Sequence, residues 1–544
     1  MSFLSSFRKF EALLVVLLLL GAAWLRFGDL VNVPGGFHGD EAVSGIEAKR
    51  ILKEGSIGPY SPLALGQPSG PLYLTALSIR VFGETIWAVR AVSALLGTLS
   101  VALLYFLLRR SHGREVALVA ALFLATLDWH IHFSRIGFPV IAWPLCALAA
   151  TFAALEATRR EQARWWALTG LVAGIGIYAY NAHVLFIGAL GVWTLFYVAR
   201  KRDVALKIRA AWVLCFVATL TLVALPMARY ALDPANDYFS HSRMISLFSA
   251  PDSSWPKDAG AFAKIEILAG RVVGFWDNLS LHSNMDWGDS TGVVPVVPLG
   301  ILVLGALGLV LTPKNKRGAL MGISLCCLLF SPLGPVLTVN GLTRRAFALA
   351  PFLCFLAALG LVEIWKRACG PLENGRTSKT RRIAATAMAA LVCALLVGQN
   401  LTDYFGKFAP APQRAWTFVE DFTDACAFIK ALPPTSRVLF YSDRWSGNYE
   451  PRQFLAPDAN IEDRSSQFGT FSFDVNQTQS QPVFVLMGTY KARLGEVQAL
   501  YPGSRVRFGP PSAETGQPAF VALWPHERNA LPAENKAPPF PMPR

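Results

Sequence analysis

Apolar residues in this chain gather into runs parted by short polar breaks, and most runs approach the ~20 residues that a helix needs to cross a bilayer. They predict spans at 11–25, 87–108, 116–127, 140–155, 165–180, 184–198, 211–227, 293–311, 320–336, 346–365 and 385–401, about eleven in all. Under strict alternation the basic clusters Arg109/Arg110/Arg114, Arg159/Arg160/Arg164, Arg200/Lys201/Arg202 and Lys314/Lys316/Arg317 share one side, the positive-inside pattern. A further basic loop, 366–382, falls there too. The N-terminus is then cytoplasmic, its first span an uncleaved anchor, and everything after Asn400 lies outside.

Three stretches depart from this rhythm. In the first outer loop, 26–86, the segment 40–55 mixes Ala42, Val43, Ile46 and Ile51 with Glu47, Lys49 and Arg50, as a helix lying in the interface does, with Asp40 at or near its N-terminus. A run that follows Pro71-Leu72-Tyr73 is too short to span. A second outer loop, 229–292, carries Asp237, Tyr238, His241, Arg243, Trp287 and Asp289, and loops of such length usually have a function, such as covering a substrate. The tail changes period: 437–441 and 482–487 read as strands and 418–432 as an amphipathic helix. The predicted division is a transmembrane domain 1–404, an extracytoplasmic α/β domain 405–529 and a Pro-rich disordered tail 530–544.

Composition agrees: 53% of residues are hydrophobic and 16% charged. The net charge of +14 reads as membrane topology, so no nucleic-acid partner is expected. Of eight cysteines, all but Cys426 lie in or beside apolar runs and none forms a CxxC pair, which excludes a disulfide framework in the tail.

Candidate chemistry is concentrated at the outer ends of the spans. Asp40 and Glu41 are adjacent carboxylates where the first span emerges; such acids cap a helix or act as acid and base, and a juxtamembrane acid is a functional hypothesis. Arg344 and Arg345 stand on the outer side against the charge rule, which suggests an anionic ligand. His38, Tyr73, His183, Tyr238 and Arg243 are further candidates for a substrate cavity. His130 and His132 point to different helix faces and have no third ligand at a fixed offset, so no metal or other cofactor is expected.

The Asp-Glu pair, the Pro71-Leu72-Tyr73 entry, Arg90 opening the next span with Ser93-Ala94-Leu95-Leu96-Gly97, and Ser134-Arg135 where the third span emerges form an ordered set. This set resembles the GT-C glycosyltransferases of the protein O-mannosyltransferase and aminoarabinose-transferase group. The resemblance implies a polytopic α-helical membrane enzyme that moves one sugar from a polyprenyl-phosphate carrier to a protein, glycan or lipid acceptor on the outer, periplasmic face of a bacterial inner membrane. It further implies that Asp40 activates the acceptor hydroxyl, that Glu41 positions acceptor or sugar, and that Arg135 meets the donor phosphate. The acid that relatives often carry after this arginine is absent from Ile136-Gly137-Phe138-Pro139-Val140. Two other readings stay open: a secondary transporter or lipid flippase, against which stand the lack of repeat halves and of acids within the spans, and a non-catalytic glycan-binding membrane protein.

Overall fold

A computed structural model of the chain describes residues 2–64, 66–256, 258–283, 286–370, 379–466 and 482–524, with side chains of 2–8 excepted. The expected tail 530–544 and the middle of the basic loop 366–382 lie outside these residues. The chain divides into two compact units, Met1–Phe418 and Val419–Arg544. The expected boundary at 404/405 falls earlier, inside a π-helical turn, Thr402–Phe408, that continues the last long helix.

The first unit is helical. In chain order its α-helices are α1 (Ser2–Phe27), α2 (Gly39–Glu54), α3 (Gly70–Phe82), α4 (Ile86–Ser111), α5 (Arg114–Thr126), α6 (Asp128–Arg135), α7 (Ala142–Arg160), α8 (Ala163–Ile175), α9 (His183–Arg200), α10 (Leu206–Leu232), α11 (Ser240–Ile245), α12 (Ala261–Ser280), α13 (Leu299–Leu311), α14 (Ala319–Phe330), α15 (Leu333–Val336), α16 (Leu349–Ala368), α17 (Lys379–Leu401) and α18 (Pro412–Thr417). Among the described residues eight helices are long and apolar enough to cross a membrane, and α5 with α6, bent by 56°, makes a ninth. The expected spans at 165–180 and 293–311 fall short of that measure, because α8 and α13 have 13 residues each. At 1.5 Å per residue such a helix covers roughly 20 Å of a hydrocarbon core of about 30 Å. α13 packs tightly all the same: a Cβ on Gly308 would lie 2.3 Å from the Leu356 carbonyl oxygen, so only glycine lets α13 and α16 approach this closely.

Between α1 and α2 the chain turns through 28–38 with little regular structure, and its backbone carbonyls need donors. Buried arginines supply them. Arg90 donates to the carbonyls of Leu30, Val31, Pro34 and Gly36 at 2.6–3.1 Å, and Arg135 to those of Leu25 at 2.6 Å and Val33 at 2.9 Å as well as Gly28 and Asp29. Arg26 at the end of α1 returns the favour to the break between α5 and α6, donating to the carbonyls of Leu124 and Ala125. Helix ends are thus capped by side chains from across the bundle, which satisfies backbone groups where water is scarce.

In the same unit β1 (Tyr60–Ser61) and β2 (Gln67–Pro68) pair antiparallel. The second unit holds a five-stranded sheet of order β4-β3-β5-β7-β6, with β3 (Arg437–Tyr441), β4 (Asn460–Asp463), β5 (Pro482–Leu486), β6 (Arg505–Phe508) and β7 (Val521–Trp524). β3 runs parallel to both β4 and β5. Its Val438–Tyr441 and all of β5 are buried, the pattern of strands covered on both faces, which is why they read as continuous apolar runs.

Candidate active site

The start of α2 sorts two neighbouring acids into different roles. His38 is the N-cap: its Nδ1 accepts the Asp40 N–H at 3.0 Å, and Glu41 Oε1 accepts the His38 N–H at 3.2 Å, a reciprocal capping box. Because His38 caps the helix, Asp40 is not needed for that task. Its half-buried carboxylate has no hydrogen-bond or ion-pair partner among the described residues.

Asp40 lines a cavity of about 350 Å³ together with Gln67 and Pro68 of β2, Pro139, Tyr180, His241 of α11, and Arg344 and Arg345. Arg344 forms an ion pair with buried Asp289 at 3.1 Å and keeps 28% of its side chain exposed. Burial pushes the Asp289 carboxyl up to about 7 against the pull of Arg344. Burial also works to lower the Arg344 pKa, but Asp289, with Tyr180 and Asp40, holds it raised, so this guanidinium stays charged. Arg345 donates to the Thr338 hydroxyl at 2.6 Å and to the Asn340 side-chain oxygen. Burial, and then Arg345 and Arg344, lower the pKa of His241. One carboxylate and two guanidiniums therefore face the same space, able to accept a proton at one point and bind an anion at another.

The other candidates from the sequence lie elsewhere. Glu41 is fully buried: its carboxylate receives Arg90 Nε at 2.8 Å, Arg90 Nη2 at 2.9 Å and the Gly137 N–H at 2.7 Å, so it is a strut rather than a group that reaches substrate. Arg135, expected at the donor phosphate, spends its donors on carbonyls at the end of α1 and is 1% exposed. His38 caps α2, and its ring packs against Phe138 and Phe418. Tyr73 ties down the 56–58 turn through Ser56 at 2.8 Å and the Ile57 N–H at 3.1 Å. His183 bonds the Ala173 carbonyl at 3.0 Å, inside the helix packing. Tyr238 packs on Tyr60, and Arg243 pairs with Asp237 at the exposed surface. None of these five lines the cavity. His130 turns to Arg26 and His132 to the Gly288 carbonyl. Among the described residues no three His, Cys, Asp or Glu side chains gather as metal ligands do.

The structure adds partners that sequence reasoning did not assign. Asp289 faces Arg344 because Asp286 Oδ1 accepts the N–H groups of Gly288 and Asp289, both at 3.0 Å, and turns the loop. Arg26 carries the signal that marked Arg344, a cation at the outer end of a span. Arg90 is the countercharge of Glu41, and nothing local in the sequence pairs residues so far apart.

Comparison with known proteins places residues 66–228 in a match to the family of dolichyl-phosphate-mannose-protein mannosyltransferases. Among solved structures, ArnT from Cupriavidus metallidurans bound to undecaprenyl phosphate aligns at 14% identity, covering 95% of this chain and 99% of its own, with a TM-score of 0.51. The oligosaccharyltransferase of Archaeoglobus fulgidus aligns at 14% identity over 87% of this chain and 69% of its own, with a TM-score of 0.52. At this identity the likeness is one of fold. A comparison with curated proteins finds no match.

Proposed function

We propose that this chain, which has the GT-C fold of membrane glycosyltransferases, moves a single sugar from a polyprenyl-phosphate donor to an acceptor hydroxyl on the outer face of the membrane. The observation that carries the reading is the cavity that Asp40 lines together with Arg344 and Arg345. Asp40 takes the proton of the acceptor hydroxyl, whose oxygen attacks the anomeric carbon. The bond from that carbon to the phosphate oxygen breaks, and the lipid phosphate leaves with the electron pair. Arg344 and Arg345 bind the departing anion, the kind of placed charge that stabilises a transition state most. A single displacement inverts the anomeric centre. Relatives in fold lend weight, since the ArnT structure holds undecaprenyl phosphate. In place of Arg135, the phosphate role goes to the arginine pair that faces the cavity.

Thin-layer chromatography of lipid-linked sugars tests this in cells that carry the wild-type protein, Asp40→Asn, or a deletion of the gene. The expected result is the same polyprenyl-phosphate sugar accumulating in the deletion and in Asp40→Asn, but not in the wild type. Unchanged lipid-linked sugars in all three strains, with the protein inserted normally, would remove the transferase reading and favour transport.

A further inference from the structure

A second and larger space lies on the other side of the segment that carries the arginines. It is a groove of about 760 Å³ between α12 and the 335–342 turn, within the roughly 300–1,000 Å³ typical of ligand sites. Residues of one segment serve both spaces: Thr338, Arg344 and Arg345 line the cavity, while Val339, Asn340 and Leu342 line the groove. Asn340 accepts a hydrogen bond from Arg345, so the two spaces touch through one side-chain pair.

We propose that this groove is the acceptor site and that the acceptor portion it holds is a neutral oligosaccharide; this rests on the transferase reading above. Charge is the first argument. Arg271 and Asp286 give the lining one cation and one anion, and Arg271 already donates to the carbonyls of Val336 and Thr338. A phosphate headgroup would find no arginine pair here, in contrast to the cavity. Chemistry is the second. Asn278 offers a carboxamide, whose adjacent donor and acceptor suit vicinal hydroxyls, and Asn340, its oxygen engaged by Arg345, adds an amide donor. Shape is the third. Among the described residues the lining comes from α12, from Ser283 and Asp286 after it, and from the 335–342 turn, with no strand edge, which an extended peptide would use. Gly270 and Gly274, four apart on one face of α12, border the groove, and a Cβ on either would meet nothing within 4 Å. At Gly308 the missing side chain makes room for a neighbouring helix; here it borders open space in the groove.

Saturation-transfer NMR on the full-length protein in nanodiscs tests the proposal, with the oligosaccharides released by mild acid from the envelope of a deletion strain as probe. Transfer from the accumulated lipid-linked sugar is measured in parallel. Gly274→Trp puts a large ring into the groove from a position where an added Cβ meets nothing within 4 Å, and Asn278→Ala removes a carboxamide; Gly270→Phe replaces the first should it not fold. The expected result is binding to wild type that is lost in Gly274→Trp and at least five-fold weaker in Asn278→Ala, with the acceptor KM raised at least ten-fold and undecaprenyl phosphate binding within two-fold. Equal binding by Gly274→Trp, no oligosaccharide binding by wild type, or sugar transferred to the protein fraction alone would overturn it. Wild type that binds the oligosaccharide but transfers nothing would instead sink the transferase reading and leave the groove as a glycan site.

Discussion

Glu41 and Asp40 are consecutive acids with different surroundings, and the difference is set by what each carboxylate can reach. Glu41 meets Arg90 and two backbone N–H groups in a buried place, while Asp40, one position earlier on the helix, opens into the cavity. Removing one partner of a buried ion pair leaves the other uncompensated, at a cost of about 3–5 kcal/mol. Glu41→Ala is therefore expected to lower stability by that order, read as a fall in the unfolding midpoint in detergent, and a midpoint equal to wild type would contradict the strut role. Arg135 and Arg344 separate in the same way. Arg135→Ala leaves carbonyls of the 25–33 segment without donors and should destabilise the protein, whereas Arg344→Ala should weaken undecaprenyl phosphate binding about ten-fold or more at an unchanged midpoint. The sequence pointed to Asp40 and the Arg344–Arg345 pair because an outer charge in an apolar frame stands out. It pointed equally to Glu41 and Arg135, because a buried charge that meets its partner across the fold looks the same in one dimension.

Helices were legible where apolar runs were long, and the end of a span at Leu127 was visible in the polar residues that follow. That α6 is buried along its whole length was not, because the partners of its polar residues come from afar: Asn400 bonds the Asp128 N–H, Arg26 bonds His130, and the Gly288 carbonyl bonds His132. The 286–290 turn shows the converse, a local device in which Asp286 sets the backbone that aims Asp289 at Arg344. With the Asp289 pKa raised to about 7 in the folded state and near 4 when unfolded, the folded protein holds the extra proton between those values. Stability contributed by this group is then present at low pH and lost as pH rises from about 4 towards 7. A thermal-midpoint profile against pH should show that slope, and Asp289→Asn should flatten it; a slope that persists in Asp289→Asn would assign it to another group.

At the scale of the molecule, the run lengths that suggested about eleven spans gave the class of fold, although three of those runs, 116–127, 165–180 and 293–311, form helices of only 13 residues each. The small α/β unit at the end was readable from its buried strands; the pairing of β7 between β5 and β6 was not, because register and order depend on residues far apart. What unites the first unit is a division of labour among its polar groups. Buried arginines hold the chain that delivers Asp40, while Arg344, partly exposed, and Arg345 line the same cavity as that carboxylate. The measurement that tests this most directly is transfer of the lipid-linked sugar by purified Asp40→Asn in proteoliposomes, with undecaprenyl phosphate binding measured on the same preparation. Loss of a general base should lower turnover by roughly 10²–10⁴-fold while binding stays within two-fold of wild type. Turnover near the wild-type rate, or binding lost together with turnover, would contradict the role given to Asp40.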